Sequence, residues 1–150
     1  MANHNHIIRG TPIEECGFDD TTLKLVHLSR CYFSAYAAGA TPDCETAVEM
    51  CKEKFGQTYA VEIAMGLLCV LSAMRTSRKS TFQFNHACCE KCRNRITQSE
   101  RLLFSTLASI RQNNRSQAYV TALMLCEGYE TDELFKTMEQ LSRFLDRAEN

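Results

Sequence analysis

An all-α fold follows from three features of the chain. Apolar residues recur at three- and four-residue steps, helix-opening and helix-closing residues punctuate those runs, and no stretch alternates apolar and polar residues as a half-buried strand would. Six helices are expected in a single bundle-like domain over residues 19–150, after a flexible N-terminal segment at 1–18 and with one long cysteine-bearing loop. A chain of 150 residues suits one core and not two.

The first helix is expected over residues 19–38. Leu25, Leu28, Tyr32 and Tyr36 share a stripe that Val26 and Phe33 widen, and Gly39 stops it. The run Thr41-Pro42-Asp43 opens the second, with a hydroxyl as N-cap, a proline where no amide donor is needed, and an acid at the positive end of the helix dipole. Its stripe is Cys44, Val48, Cys51 and Phe55, and Gly56 closes it. The third, over 58–76, is apolar almost throughout and is expected to be the central element, with Cys69 inside the run.

Residues 77–96 then form an irregular stretch holding Phe82, Phe84, His86, Cys88, Cys89 and Cys92. A loop of that length inside a compact domain calls for a function or a hidden element. Order returns at Thr97, which with Glu100 has capping-box spacing ahead of the stripe Leu103, Leu107 and Ile110; Asn113-Asn114 ends that helix. Ser116 is the expected cap of a fifth helix reaching Cys126, with Gly128 as its stop. Thr131-Asp132-Glu133 opens a sixth with Leu134, Met138, Leu141 and Leu145 inward.

Nine cysteines are an odd number, and nothing in the first ten residues looks like a secretory leader, so a reducing, cytoplasmic setting is expected. The most apolar run, 60–74, is broken by Glu62 and is shorter than a bilayer requires, so no membrane partner is expected. Helical position assigns Cys44, Cys51 and Cys69 to the core and leaves Cys16 and Cys31 unassigned. His27 reads as a packed residue, while His4 and His6 belong to the terminal segment.

His86, Cys89 and Cys92 form an H-x-x-C-x-x-C series. Two-residue gaps let thiolates reach one tetrahedral zinc, and a neutral imidazole can join them. A fourth ligand would come from Cys88 or Cys126. One zinc ion is therefore expected, and it would offset the ordering cost of a loop poor in aliphatic residues. The competing reading is a redox pair, Cys89 and Cys92, with Lys91, Arg93 and Arg95 favouring the thiolate. Cys88-Cys89-Glu90 imitates half of a zinc deaminase signature, but no P-C-x-x-C follows.

The net charge of -1 hides an asymmetry. Residues 75–115 carry nine Lys or Arg against Glu90 and Glu100, a net +7, and the remainder carries -8. Arg75, Arg78, Lys79, Lys91, Arg93 and Arg95 are the expected contacts for an anion or an acidic protein partner, with nucleic acid as a further reading. A helix-turn-helix template fits poorly, since Met124 and Glu127 stand where a small and an apolar residue belong. There is no phosphate loop, no H-E-x-x-H and no G-x-S-x-G. The expectation is a zinc-stabilised regulatory protein that works by binding a protein partner, rather than an enzyme.

Overall fold

The computed structural model describes residues 9–40 and 43–150, so His4, His6, Thr41 and Pro42 lie outside the described residues. Six helices carry the fold among them: α1 (Asp20–Ala37), α2 (Cys44–Phe55), α3 (Ala60–Ser77), α4 (Gln98–Arg111), α5 (Arg115–Leu125) and α6 (Asp132–Glu149). The expected all-α class holds.

Two short strands were not expected. β1 (Thr11–Pro12) pairs antiparallel with β2 (Arg95–Ile96), in the register Thr11 to Ile96 and Pro12 to Arg95. A 3₁₀ turn (Ile13–Cys16) follows β1, with Ile13 buried and its N–H donated to the Asn94 carbonyl at 2.8 Å. Residues 11–16 of the segment expected to be flexible are thus strapped to the end of the cysteine loop.

The core lies where α3 packs on α2 and α6, α4 packs on α5 and α6, and α1 bridges α2, α3 and α4. Leu67, Val70, Leu71 and Met74 of α3 and Leu134, Met138, Leu141 and Leu145 of α6 are buried at three- and four-residue steps. Helices α3 and α6 approach closely at Gly66, where an added Cβ would stand 3.2 Å from Leu141 Cδ1. By length and composition α3 could cross a membrane, but its buried face is occupied by its neighbours.

Helix boundaries obey local chemistry, with corrections in detail. The Thr97–Glu100 capping box is present, with Glu100 N–H to Thr97 Oγ1 at 3.1 Å and Thr97 N–H to Glu100 Oε1 at 3.0 Å. The cap of α2 is Asp43, whose carboxylate accepts from the Glu45 and Thr46 amides, so the helix starts two residues later than a Thr41 cap would have it. The cap of α5 is Asn114 and not Ser116, since the Asn114 carboxamide accepts the Gln117 amide at 3.3 Å.

Three helices end in one hydrogen-bond pattern, in which a six-residue and a four-residue turn close around a left-handed residue. That residue is Gly39 after α1, Asn113 after α4 and Glu127 after α5, with φ of 72°, 60° and 58°. Glycine and asparagine adopt this conformation readily and glutamate does not. Gly128, the expected stop, sits one residue beyond. Glu127 is held by its carboxylate, which accepts Ser80 N–H at 2.9 Å and Ser80 Oγ at 3.0 Å and lies 3.6 Å from Arg78.

Two cysteines expected in the core are exposed. Helix α2 buries Ala47 and Cys51, and Cys44, as its first residue, lies beyond the packed stretch. Cys69 follows Val61 and Met65 at four-residue steps on the side of α3 away from its buried stripe, and those two are 53% and 41% exposed. A helix apolar on all sides is buried only where neighbours reach it.

A candidate thiol site on a clamped loop

The connection from α3 to α4 is ordered by side chains from outside it. Arg30 of α1 and Glu100 of α4 form an ion pair with both side chains almost wholly buried, Nε to Oε2 at 2.8 Å and Nη2 to Oε1 at 3.2 Å. The guanidinium also donates to the main-chain carbonyls of Arg93, at 3.1 Å, and of Arg95. Buried Asn85 donates its carboxamide to the carbonyls of Arg9 and Arg95 at 3.2 and 2.9 Å. Upstream, Phe82 and Phe84 stack on Phe33 with centroids 4.6 and 5.2 Å away.

These contacts order a loop that is poor in aliphatic residues. Arg30 was missed, although it is legible: it follows Val26 by four residues and precedes Phe33 by three, so a permanent charge stands on the apolar stripe of α1. Glu100 was recognised only as a capping residue.

Beyond Asn85 the chain turns three times in succession. The N–H of Cys89 reaches the His86 carbonyl at 3.2 Å, that of Cys92 the Cys89 carbonyl at 3.2 Å, and that of Arg95 the Cys92 carbonyl at 3.1 Å. Turns of this span bring side chains three residues apart onto one side. The Sγ atoms of Cys89 and Cys92 lie 2.7 Å apart.

The two thiols are unequal. Cys89 is half-exposed and Cys92 is 3% exposed. The Cys89 thiol is pushed down from its ordinary value chiefly by the hydrogen bond from the Cys92 thiol, and also by the amides of Cys92 and Lys91 and the Lys91 charge. Burial pushes Cys92 up, as does donating to Cys89, while Arg30 partly offsets the rise. An accessible thiol whose ionised form is favoured thus sits against a buried thiol whose neutral form is favoured.

The other expected ligands are distributed differently. His86 is exposed, with its ring 6.5 Å from that of Phe84. Cys88 is exposed near Cys31 of α1, whose thiol is raised first by burial and then by the Cys88 charge. Cys126 is buried at the end of α5; burial raises its thiol, and the groups acting on it are Ser77, Arg78 and Glu127 rather than the loop thiols. Among the described residues, no three His, Cys, Asp or Glu side chains are placed to hold one metal ion.

The six cations divide into two groups. Arg75, Arg78 and Lys79 line a cleft beside the C-terminal end of α1. Within it, Arg78 is spent on the carbonyls of Leu125, Ser80 and Thr81 and on Glu127. Lys91 and Arg93 are exposed in the thiol loop, and Arg95 donates to the Gly10 carbonyl while its buried Nε has no protein partner. Compared with protein-family models, curated proteins and solved structures, the chain has no match, so the geometry carries the functional reading.

Proposed function

We propose that this chain is a helical regulatory domain whose Cys89 and Cys92 form a reversible thiol–disulfide switch. The observation that carries the reading is the juxtaposed, unequal pair: an accessible Cys89 favoured as thiolate, 2.7 Å from a buried Cys92. The oxidant is a low-molecular-weight disulfide. Cys89 thiolate attacks one of its sulfurs, forming a mixed disulfide and releasing a thiolate. Cys92 then loses its proton to solvent and attacks Cys89 Sγ, closing the internal disulfide and releasing the second thiolate, so the small disulfide takes up two electrons.

A partner would read the change through the loop, since Arg30 grips the carbonyl of Arg93, one residue past Cys92. Lys91 and Arg93 are the charges best placed to meet an acidic protein surface. A reducing cytoplasm would keep the resting state dithiol. The test is mass spectrometry after oxidised glutathione. The native chain should lose two hydrogens at 89–92, and Cys92→Ser should instead hold glutathione on Cys89. Equal reaction at exposed Cys69 and Cys88, with no internal disulfide, would refute the switch.

A second reading is favoured by the three consecutive turns, which set His86, Cys89 and Cys92 at equal intervals. In it the same loop holds one structural zinc, with Cys88 rather than Cys126 as the further ligand. Protein purified without added metal should then contain about one zinc per chain, lost in Cys92→Ser and in His86→Ala. Zinc found at that ratio and resistance to glutathione together decide for the metal.

A further inference from the structure

A cleft of about 310 Å³ separates the last turn of α1, the last turns of α3 and the start of the connection to α4. Its apolar surface comes from Tyr36, Phe82 and Phe84 over the buried Met74, and its cationic edge from Arg75 and Lys79; no carboxylate lines it. The volume is at the small end of the range of roughly 300–1,000 Å³ in which ligand pockets fall, and the lining has their usual composition, an apolar surface with a few polar groups. A pocket of this size suits one small molecule.

Charge distinguishes this cleft from an ordinary gap between helices. Arg78 is neutralised by Glu127 and spent on carbonyls. Among the described residues no ion pair joins Arg75 or Lys79 to a carboxylate. Each instead lies over an aromatic ring, Arg75 Cζ at 3.7 Å from the Tyr36 centroid and Lys79 Nζ at 4.9 Å from that of Tyr129. Stacking holds the Arg75 guanidinium by its face and leaves its N–H edge for a planar, two-oxygen acceptor.

We propose that this cleft binds a small aromatic carboxylate, with its ring system against Phe82 and Phe84 and its carboxylate on Arg75 and Lys79. The site is independent of the thiol pair, and oxidation or metal loading of the loop cysteines is not required for it. The ligand class follows from the pairing of a flat apolar surface with two uncompensated cations, one of which presents paired donors.

The chain has no tryptophan, so naphthalene fluorescence excited beyond the tyrosine absorption band can be followed without protein emission. The experiment titrates reduced, full-length protein into 2-naphthoate, with neutral 2-naphthamide and inorganic phosphate as parallel probes. Saturable binding of 2-naphthoate at one site is expected, with 2-naphthamide about tenfold weaker or worse and phosphate a poor competitor. Arg75→Gln, at an exposed position, should weaken 2-naphthoate by about tenfold while the circular dichroism is unchanged. Equal affinity for acid and amide, undiminished binding by Arg75→Gln, displacement by phosphate at similar concentration, or no saturation would each overturn the assignment.

Discussion

Between α3 and α6, Leu67, Leu71, Leu141 and Leu145 are buried completely, and each such side chain contributes about 1.5–3 kcal/mol by leaving water. Between residues 78 and 94 only Asn85 and Cys92 are buried, and neither brings comparable apolar area. The bundle is held by area, while the connection, once past the Phe82 and Phe84 rings that stack on Phe33, is held by polar contacts reaching in from elsewhere, foremost the Arg30–Glu100 pair. Area is distributed over many residues and tolerates a loss. A buried ion pair concentrates its effect in two side chains, and losing one leaves the other charged and without its partner in the interior.

Substitutions can break that contrast. The largest effect is expected from Glu100→Ala, which leaves the Arg30 charge unpaired and also removes half of the α4 capping box. Stability should fall by about 3–5 kcal/mol in urea denaturation, and amide exchange should accelerate first in residues 82–95. Leu67→Ala should cost about 2–5 kcal/mol, but with protection lost throughout the bundle together. If both variants lose protection in the same order, the two regions do not differ as described.

Gly10→Ala sharpens the comparison at the strap. Gly10 has φ of 84°, and an added Cβ would lie 1.7 Å from the Ile96 carbonyl oxygen, so β1 must move away from β2. The expected cost is about 1–3 kcal/mol, seen as faster exchange at the Ile13 amide, whose acceptor is Asn94. Unchanged exchange there would show that the strap contributes nothing to the loop.

The smallest effect is expected at Glu127. The Ser80 amide and hydroxyl and the Arg78 charge hold its carboxyl below the ordinary range. A carboxyl lowered on folding stabilises above its unfolded pKa, and that contribution is lost as pH falls through the folded value. Glu127→Gln should therefore be less stable than the native chain near neutrality, with the gap closing in acid. A difference independent of pH would assign the effect to backbone conformation instead.

Legibility followed the range of the forces involved. The Thr97–Glu100 box and the stripes of α4 and α6 depend on neighbours three or four residues away and were read directly. The pairing of Thr11–Pro12 with Arg95–Ile96 spans more than eighty residues and two-residue strands, too short for any alternation to register. Cys44 and Cys69 were misplaced because an apolar pattern identifies a face able to be buried, and a neighbouring helix must exist to bury it. Glu127 in a left-handed turn was unreadable for a related reason, since its support comes from Ser80 and Arg78.

The thiol pair shows both ranges at once. The C-x-x-C spacing brought Cys89 and Cys92 to attention, because turn geometry confines residues three apart. Which of the two is accessible and which is buried within reach of the Arg30 charge depended on how α1 and α4 pack around the loop. Helix positions, caps and the presence of a cysteine loop were local consequences of the chain. The burial of Arg30 with Glu100, the separation of Cys126 from the loop thiols, and the cleft at Arg75 were set by packing, because burial and charge pairing depend on what arrives from distant parts of the chain.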